Sequence, residues 1–285
     1  AWAGPPRLLV LGGEDGAAHH DSTELLDAGA MAFRPGPRMG SQRCGCAAAD
    51  LGEGRLLVAG GAVGSKCLET TEVLDLESMA FAPGPCMASR RAACAAARIG
   101  EGRVLVLGGR DRSTRLDTTE VLDLDAMAFT PGPRMAARRS MLAAVALDSS
   151  RLLVVGGHDG TKTLDTTEVL DLQSMSFSPG PRMGVARFSC AAVLMDEEHL
   201  LVAGGVGEDS RRLSSTEVLD LAAMRFEPGP GMEEPRSGCA ALALDEQRLL
   251  VAGGLDGVSR HATTELLDMG LWAFGRGPVM SAPRG

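Results

Sequence analysis

A chain of 285 residues with 45% apolar content can bury a sizeable core, and its 37 glycines and 15 prolines suit short strands and tight turns better than long helices. The net charge of −9 argues against a surface that neutralises nucleic-acid phosphates, and no apolar run approaches the ~18 residues of a membrane-spanning helix. Seven cysteines without framework spacing lean towards a reducing, intracellular compartment, and they fit a mature organellar protein as well.

From the N-terminus, an apolar run beginning at Arg7 ends in Gly12-Gly13. A loop follows, then Thr23-Glu24, Phe33, a Pro-Gly-Pro triplet, Arg43 and the small residues Cys46-Ala-Ala-Ala49. The succession then returns. Glycine pairs recur at Gly60, Gly108, Gly156, Gly204 and Gly253, the later steps in register at 48, 48, 48 and 49 residues. The glutamate recurs at Glu72, Glu120, Glu168, Glu217 and Glu265, and each phenylalanine stands nine residues after its glutamate. Six in-register copies are a repeat architecture.

In the fourth copy the segments 151–155, 167–171, 177–183 and 189–194 read as strands. The first is a continuous apolar run, as a strand buried on both faces should be. The third carries Pro-Gly-Pro, which belongs at an open edge. The fourth is made of small residues (Cys94 to Ala97 and Ala143-Ala144 in other copies), which places it at the crowded axis of a ring of wedges. One four-stranded antiparallel sheet per repeat predicts an all-β, six-bladed propeller occupying residues 1–285 as a single domain. The repeated methionines and phenylalanines are expected to fill the space between blades.

The segments Gly156-Gly-His-Asp-Gly160 and Leu164-Asp-Thr-Thr-Glu-Val-Leu-Asp171, followed by Phe177, Met183 and Arg187, resemble the Kelch repeat, and the resemblance runs through all six copies. The family's usual tyrosine and tryptophan are replaced by aliphatic residues and phenylalanine. In such propellers, strands from both termini often share one blade. Arg284 aligns with Arg43, so the inner strand of blade 1 is largely missing from this chain, and closure is expected at blade 1. The natural chain is expected either to continue past Gly285 or to carry residues before Ala1 that fill the gap.

The resemblance implies a non-catalytic protein–protein interaction module or scaffold. Strand order puts the loops after the glycine pairs on one face, and these loops vary most between copies. Arg110, Arg112, Arg115, Arg211, Arg212 and His158 lie in them and are the expected partner contacts. A second tier is the repeated arginine at Arg43, Arg91, Arg139, Arg187 and Arg236, which the family's acidic-peptide binders place near the opening. The competing structural reading pairs each with the repeated glutamate. The opposite face carries acidic turns, including Asp50, Glu53, Asp148 and Asp196.

The expected partner is a protein or peptide, possible also within a multi-subunit assembly, with no nucleic acid and no membrane insertion. One alternative is a structural subunit of a larger complex. The other is a metal-dependent enzyme using loop histidines, with His19, His20 and His261 converging across the closed ring. Neither a cofactor nor a metal is expected. Without any tyrosine, copper-radical chemistry is excluded, and Cys44-Gly-Cys46 is too short a spacing for zinc.

Overall fold

The computed structural model describes residues 7–285 and forms a six-bladed β-propeller without helices. Blade 2 shows the plan. Its strands Ala47–Gly52, Arg55–Ala59, Thr71–Asp75 and Ala80–Pro83 pair antiparallel in that order from axis to rim. Blades 3 to 6 repeat it, and blade 1 contributes Arg7–Leu11, Thr23–Asp27 and Ala32–Pro35. No helix among the described residues is long and apolar enough to cross a membrane.

The strands follow from local chemistry. In blade 4 the second and third strands, Arg151–Val155 and Thr167–Asp171, match the expected bounds. The rim strand is shorter than expected and stops at Pro179, because proline and the following turn cannot continue the ladder. The inner strand of blade 5 begins at Ala191 rather than at residue 189. Ser189 has a φ of 52°, and its N–H donates instead to Met141 O at 2.7 Å. The same bond runs from Ala93 N to Gly45 O, from Met141 N to Ala93 O and from Gly238 N to Ser189 O, so backbone amides chain successive blades around the channel mouth.

Core clusters sit between blades rather than within them. Leu57, Ala59 and Met87 pack on Val104, Val106 and Leu122 of the next blade, and equivalent clusters join blades 3 to 4, 4 to 5 and 5 to 6. A smaller one joins blade 6 to Leu26 of blade 1. Phe33, Phe129, Phe177, Phe226 and Phe274 are half-buried against these clusters, as expected, but the methionines divide. Met39, Met87, Met135, Met183, Met232 and Met280 are buried. Met31, Met79, Met127, Met175 and Met224 turn the outer hairpin with positive φ, Met31 and Met175 also packing against the inter-blade clusters, and Trp272 takes that place in blade 6.

Blade 1 is the exception at the axis. No inner strand flanks Arg7–Leu11 among the described residues, and Leu9, Val10 and Leu11 are half-exposed where Leu57, Val58 and Ala59 of blade 2 are fully buried. Residues 1–6 lie outside the described residues, so the expectation about segments beyond either end finds no test in the fold.

Candidate functional site

The loops after the glycine pairs and the linkers from each rim strand to the next inner strand lie on one face. Gly61 donates to Arg91 O at 2.8 Å, and Arg91 N donates back to Leu68 O at 3.0 Å, stitching loop to linker. A side chain at Gly60 would overlap the Arg91 carbonyl, and φ there is +64°, so the first glycine of the pair is fixed by close approach. Thr71 Oγ1 reaches across to Pro85 O at 2.7 Å, and a Cβ at Gly84 would strike that hydroxyl. Thr-Glu and Pro-Gly-Pro are therefore two halves of one contact.

The repeated arginines lie under this face, not on it. Arg43 donates through Nε to Glu72 Oε1 at 3.0 Å, through Nη1 to the carbonyls of Gly60 and Thr70 at 2.8 and 2.9 Å, and through Nη2 to Thr70 Oγ1 at 3.1 Å. Glu72 in turn accepts from the backbone N–H groups of Gly40 and Ser41 at 2.6 and 3.1 Å. Arg91–Glu120, Arg139–Glu168, Arg187–Glu217 and Arg236–Glu265 repeat the arrangement.

Each arginine keeps its backbone on one blade's loop and its guanidinium in the next blade, so it works as a latch between neighbours. Arg43, Arg91, Arg139, Arg187 and Arg236 are 0–1% exposed. Their expected role as partner contacts does not fit this burial, and the paired structural reading does.

The same latch closes the ring. Arg284 donates to Glu24 Oε1 at 3.2 Å, Gly12 O at 2.6 Å and Ser22 O at 3.0 Å, while Ser281 N and Oγ hold Glu24 Oε2 at 2.7 Å. Burial works against the ionised form of Glu24, but the bonds from Ser281 and Arg284 outweigh it and hold the carboxyl below its usual range.

Other cations do reach the face. Arg112 and Arg211 are exposed, and Arg110, Arg115, Arg212 and His158 are partly so. Arg110 and Arg115 face each other across the hairpin Arg110–Asp111 and Thr114–Arg115. Among the described residues no ion pair forms at Arg110, Arg112, Arg115 or Arg212, and Arg211 meets only Asp209, on its own loop, at 3.3 Å. Between these groups, in blade 4, lie His158, stacked edge-on to Phe188 at 5.5 Å, and exposed Lys162.

The loops are ordered by their own chemistry. Asp15 and Asp256 accept backbone N–H groups two and three residues on, which hold their carboxyls below the usual range. The opposite face pairs its charges locally, as in Asp148–Arg151 and Asp245–Arg248 at 2.8 and 2.7 Å.

The loop face surrounds the channel mouth, a cavity of ≈ 720 Å³ lined in part by Glu14, His19, Cys44 and Arg110. The convergence of His19, His20 and His261 that the enzyme alternative needs is not found. His20 faces Asp15 at 3.5 Å, and His261 lies between Glu234 and Asp256 at 3.5 and 3.8 Å. His19 instead meets Glu14 at 3.4 Å, with Cys44 beside them. This grouping escaped sequence reasoning because Cys44 arrives on the linker to blade 2. Comparing the repeats position by position carries the signal, since blade 2 has Ala62, Cys67 and Ala92 in those three places.

No curated protein matches the sequence. The Kelch motif matches residues 91–136 and 138–184, two adjacent repeats of the six. The same strand order, glycine pairs and Arg–Glu latches are carried round the ring, so the chain is a six-bladed β-propeller, two of whose adjacent repeats match the Kelch motif.

Proposed function

We propose that this propeller is a non-catalytic interaction module that takes an acidic protein segment on its loop face. Kelch-type propellers are in general protein-interaction modules and typically lack catalysis. The observation that carries the reading is the arc of arginines over blades 3 to 5, Arg110, Arg112, Arg115, Arg211 and Arg212, which outnumber the carboxylates of their loops and of which, among the described residues, only Arg211 forms an ion pair. In a chain of net charge −9 such an arc is a local reversal of sign. Opposed patches of charge orient a partner and speed its docking.

The test replaces Arg112, Arg115, Arg211 and Arg212 by glutamate and compares affinity capture with the wild type at two salt concentrations. These side chains are outside the latches, so thermal unfolding should hardly change. Captured partners should be lost from the variant, with affinity about tenfold or more weaker, and should weaken in the wild type as salt rises. Equal capture of the same partners by both proteins overturns the reading and leaves a scaffold that uses another face.

A further inference from the structure

We propose that Glu14, His19 and Cys44 form a binding site for a zinc-class divalent cation at the channel mouth. Glu14 Oε2, His19 Nε2 and Cys44 Sγ are the ligand atoms, and the triplet's ligand atoms lie within 4.8 Å of one another. Carboxylate, imidazole and thiolate together suit Zn²⁺ better than magnesium or calcium, which select oxygen alone. A tetrahedral zinc with bonds of about 2.0–2.3 Å brings its ligands roughly 3.3–3.8 Å apart. Side-chain rotation of about an ångström therefore completes the site.

Backbone pairing fixes all three ligands. Glu14 and His19 face each other as a bridge in the loop of blade 1, and Cys44 forms a bridge with Ala62. The Ala62 carbonyl accepts from Cys44 N at 3.1 Å and lies 3.1 Å from His19 Nδ1. Nδ1 also lies 3.2 Å from the Gly64 N–H, whose hydrogen bond it accepts in the other tautomer. Cation binding selects the tautomer in which Nδ1–H donates to the Ala62 carbonyl and Nε2 turns its lone pair towards Glu14. Metal-bound histidines are commonly oriented by such a second hydrogen bond. Arg260 binds the other oxygen of Glu14 and leaves Oε2 free to coordinate. Burial and the charge of Glu14 push the Cys44 thiol up; a cation between them reverses that balance and favours the thiolate.

The repeat supplies an independent contrast. The equivalent positions of blade 2, Ala62, Cys67 and Ala92, form a small buried apolar cluster. Blade 3 places Arg110, Arg115 and Ser140 there and blade 4 His158, Thr163 and Phe188, whereas blade 1 brings three ligand types together at these positions. The site borders the channel cavity, so the fourth coordination position opens to solvent or to a ligand entering the mouth.

Cobalt titration of the chelator-treated full chain tests the site. One equivalent of Co²⁺ should give a thiolate charge-transfer band in the near ultraviolet, and excess Zn²⁺ should remove it. Cys44→Ala should abolish the band, and His19→Gln should weaken binding by tenfold or more, whereas Cys46→Ala should keep both. Glu14→Ala with Cys44→Ala copies the residues of blade 2 at two positions. This double variant should fold with wild-type circular dichroism and bind no cobalt. Absence of the band from the wild type, or a band that survives in Cys44→Ala or the double variant, overturns the proposal.

Discussion

The cysteines show how strongly position on the blade sets side-chain chemistry. Cys46, Cys94, Cys190 and Cys239 occupy one repeat position beside the axis, where burial pushes the thiols of Cys46 and Cys190 up to about 11 and those of Cys94 and Cys239 up to about 12. Nearby arginines favour the thiolate but do not overcome desolvation. Cys86, on a linker, is exposed. Native alkylation at mildly alkaline pH should therefore modify Cys86 first, with the buried Cys94 and Cys190 reacting only after denaturation; mass mapping of the labelled peptides checks the order. Rapid labelling of Cys94 would contradict the packing described for the axis.

Elements are joined by the Arg–Glu latches, and their energetics follow from burial. Arg139 donates to Glu168, Gly156 O, Thr166 O and Thr166 Oγ1, so its charge is well partnered. Removing the guanidinium leaves Glu168 buried and half-satisfied, and Arg139→Met should cost about 3–5 kcal/mol in denaturant unfolding. Adding Glu168→Gln should recover only part of this. The glutamate also accepts from Ala136 and Ala137 N–H at 2.7 and 3.2 Å, and the amide would turn a donor towards one of them. A double variant as stable as the wild type would show that the latch is dispensable.

Much of this scale was legible in the sequence. Blade number, strand order and the small residues at the axis followed from the repeat, because wedge geometry imposes the same demand six times. The pairing of Arg139 with Glu168 was open to reading from their recurrence, but burial decides between latch and partner contact, and burial is not written in spacing. Rim-strand bounds shifted because Pro179 and the turn after it end the ladder. The Glu14–His19–Cys44 grouping was hidden because it is assembled across two blades, and only the departure of blade 1 from blade 2 betrays it.

For the whole molecule the junction between blades 6 and 1 is distinctive. Among the described residues, Arg284, Ser281, the Arg260–Glu14 ion pair and a pair of backbone bonds between Gly285 and Glu14 join the two blades. Leu9, Val10 and Leu11 of the adjoining strand are also less covered than Leu57, Val58 and Ala59 at the same places in blade 2. Arg284→Met should accordingly lower Tm more than Arg139→Met, although the two side chains make nearly the same hydrogen bonds. Equal shifts in calorimetry would mean that the junction carries no special share of ring stability.

The latch at that junction also changes how blades are counted. A row of six stacked units has one fewer contact surface than units, and its ends can fray singly. A closed circle of six has as many surfaces as units and no end. Dislodging the first blade therefore breaks two interfaces at once, while each later blade breaks only one more. The first departure is the most costly, and the rest follow downhill, so the repeat that could have unravelled unit by unit is turned by its closure into a single cooperative body.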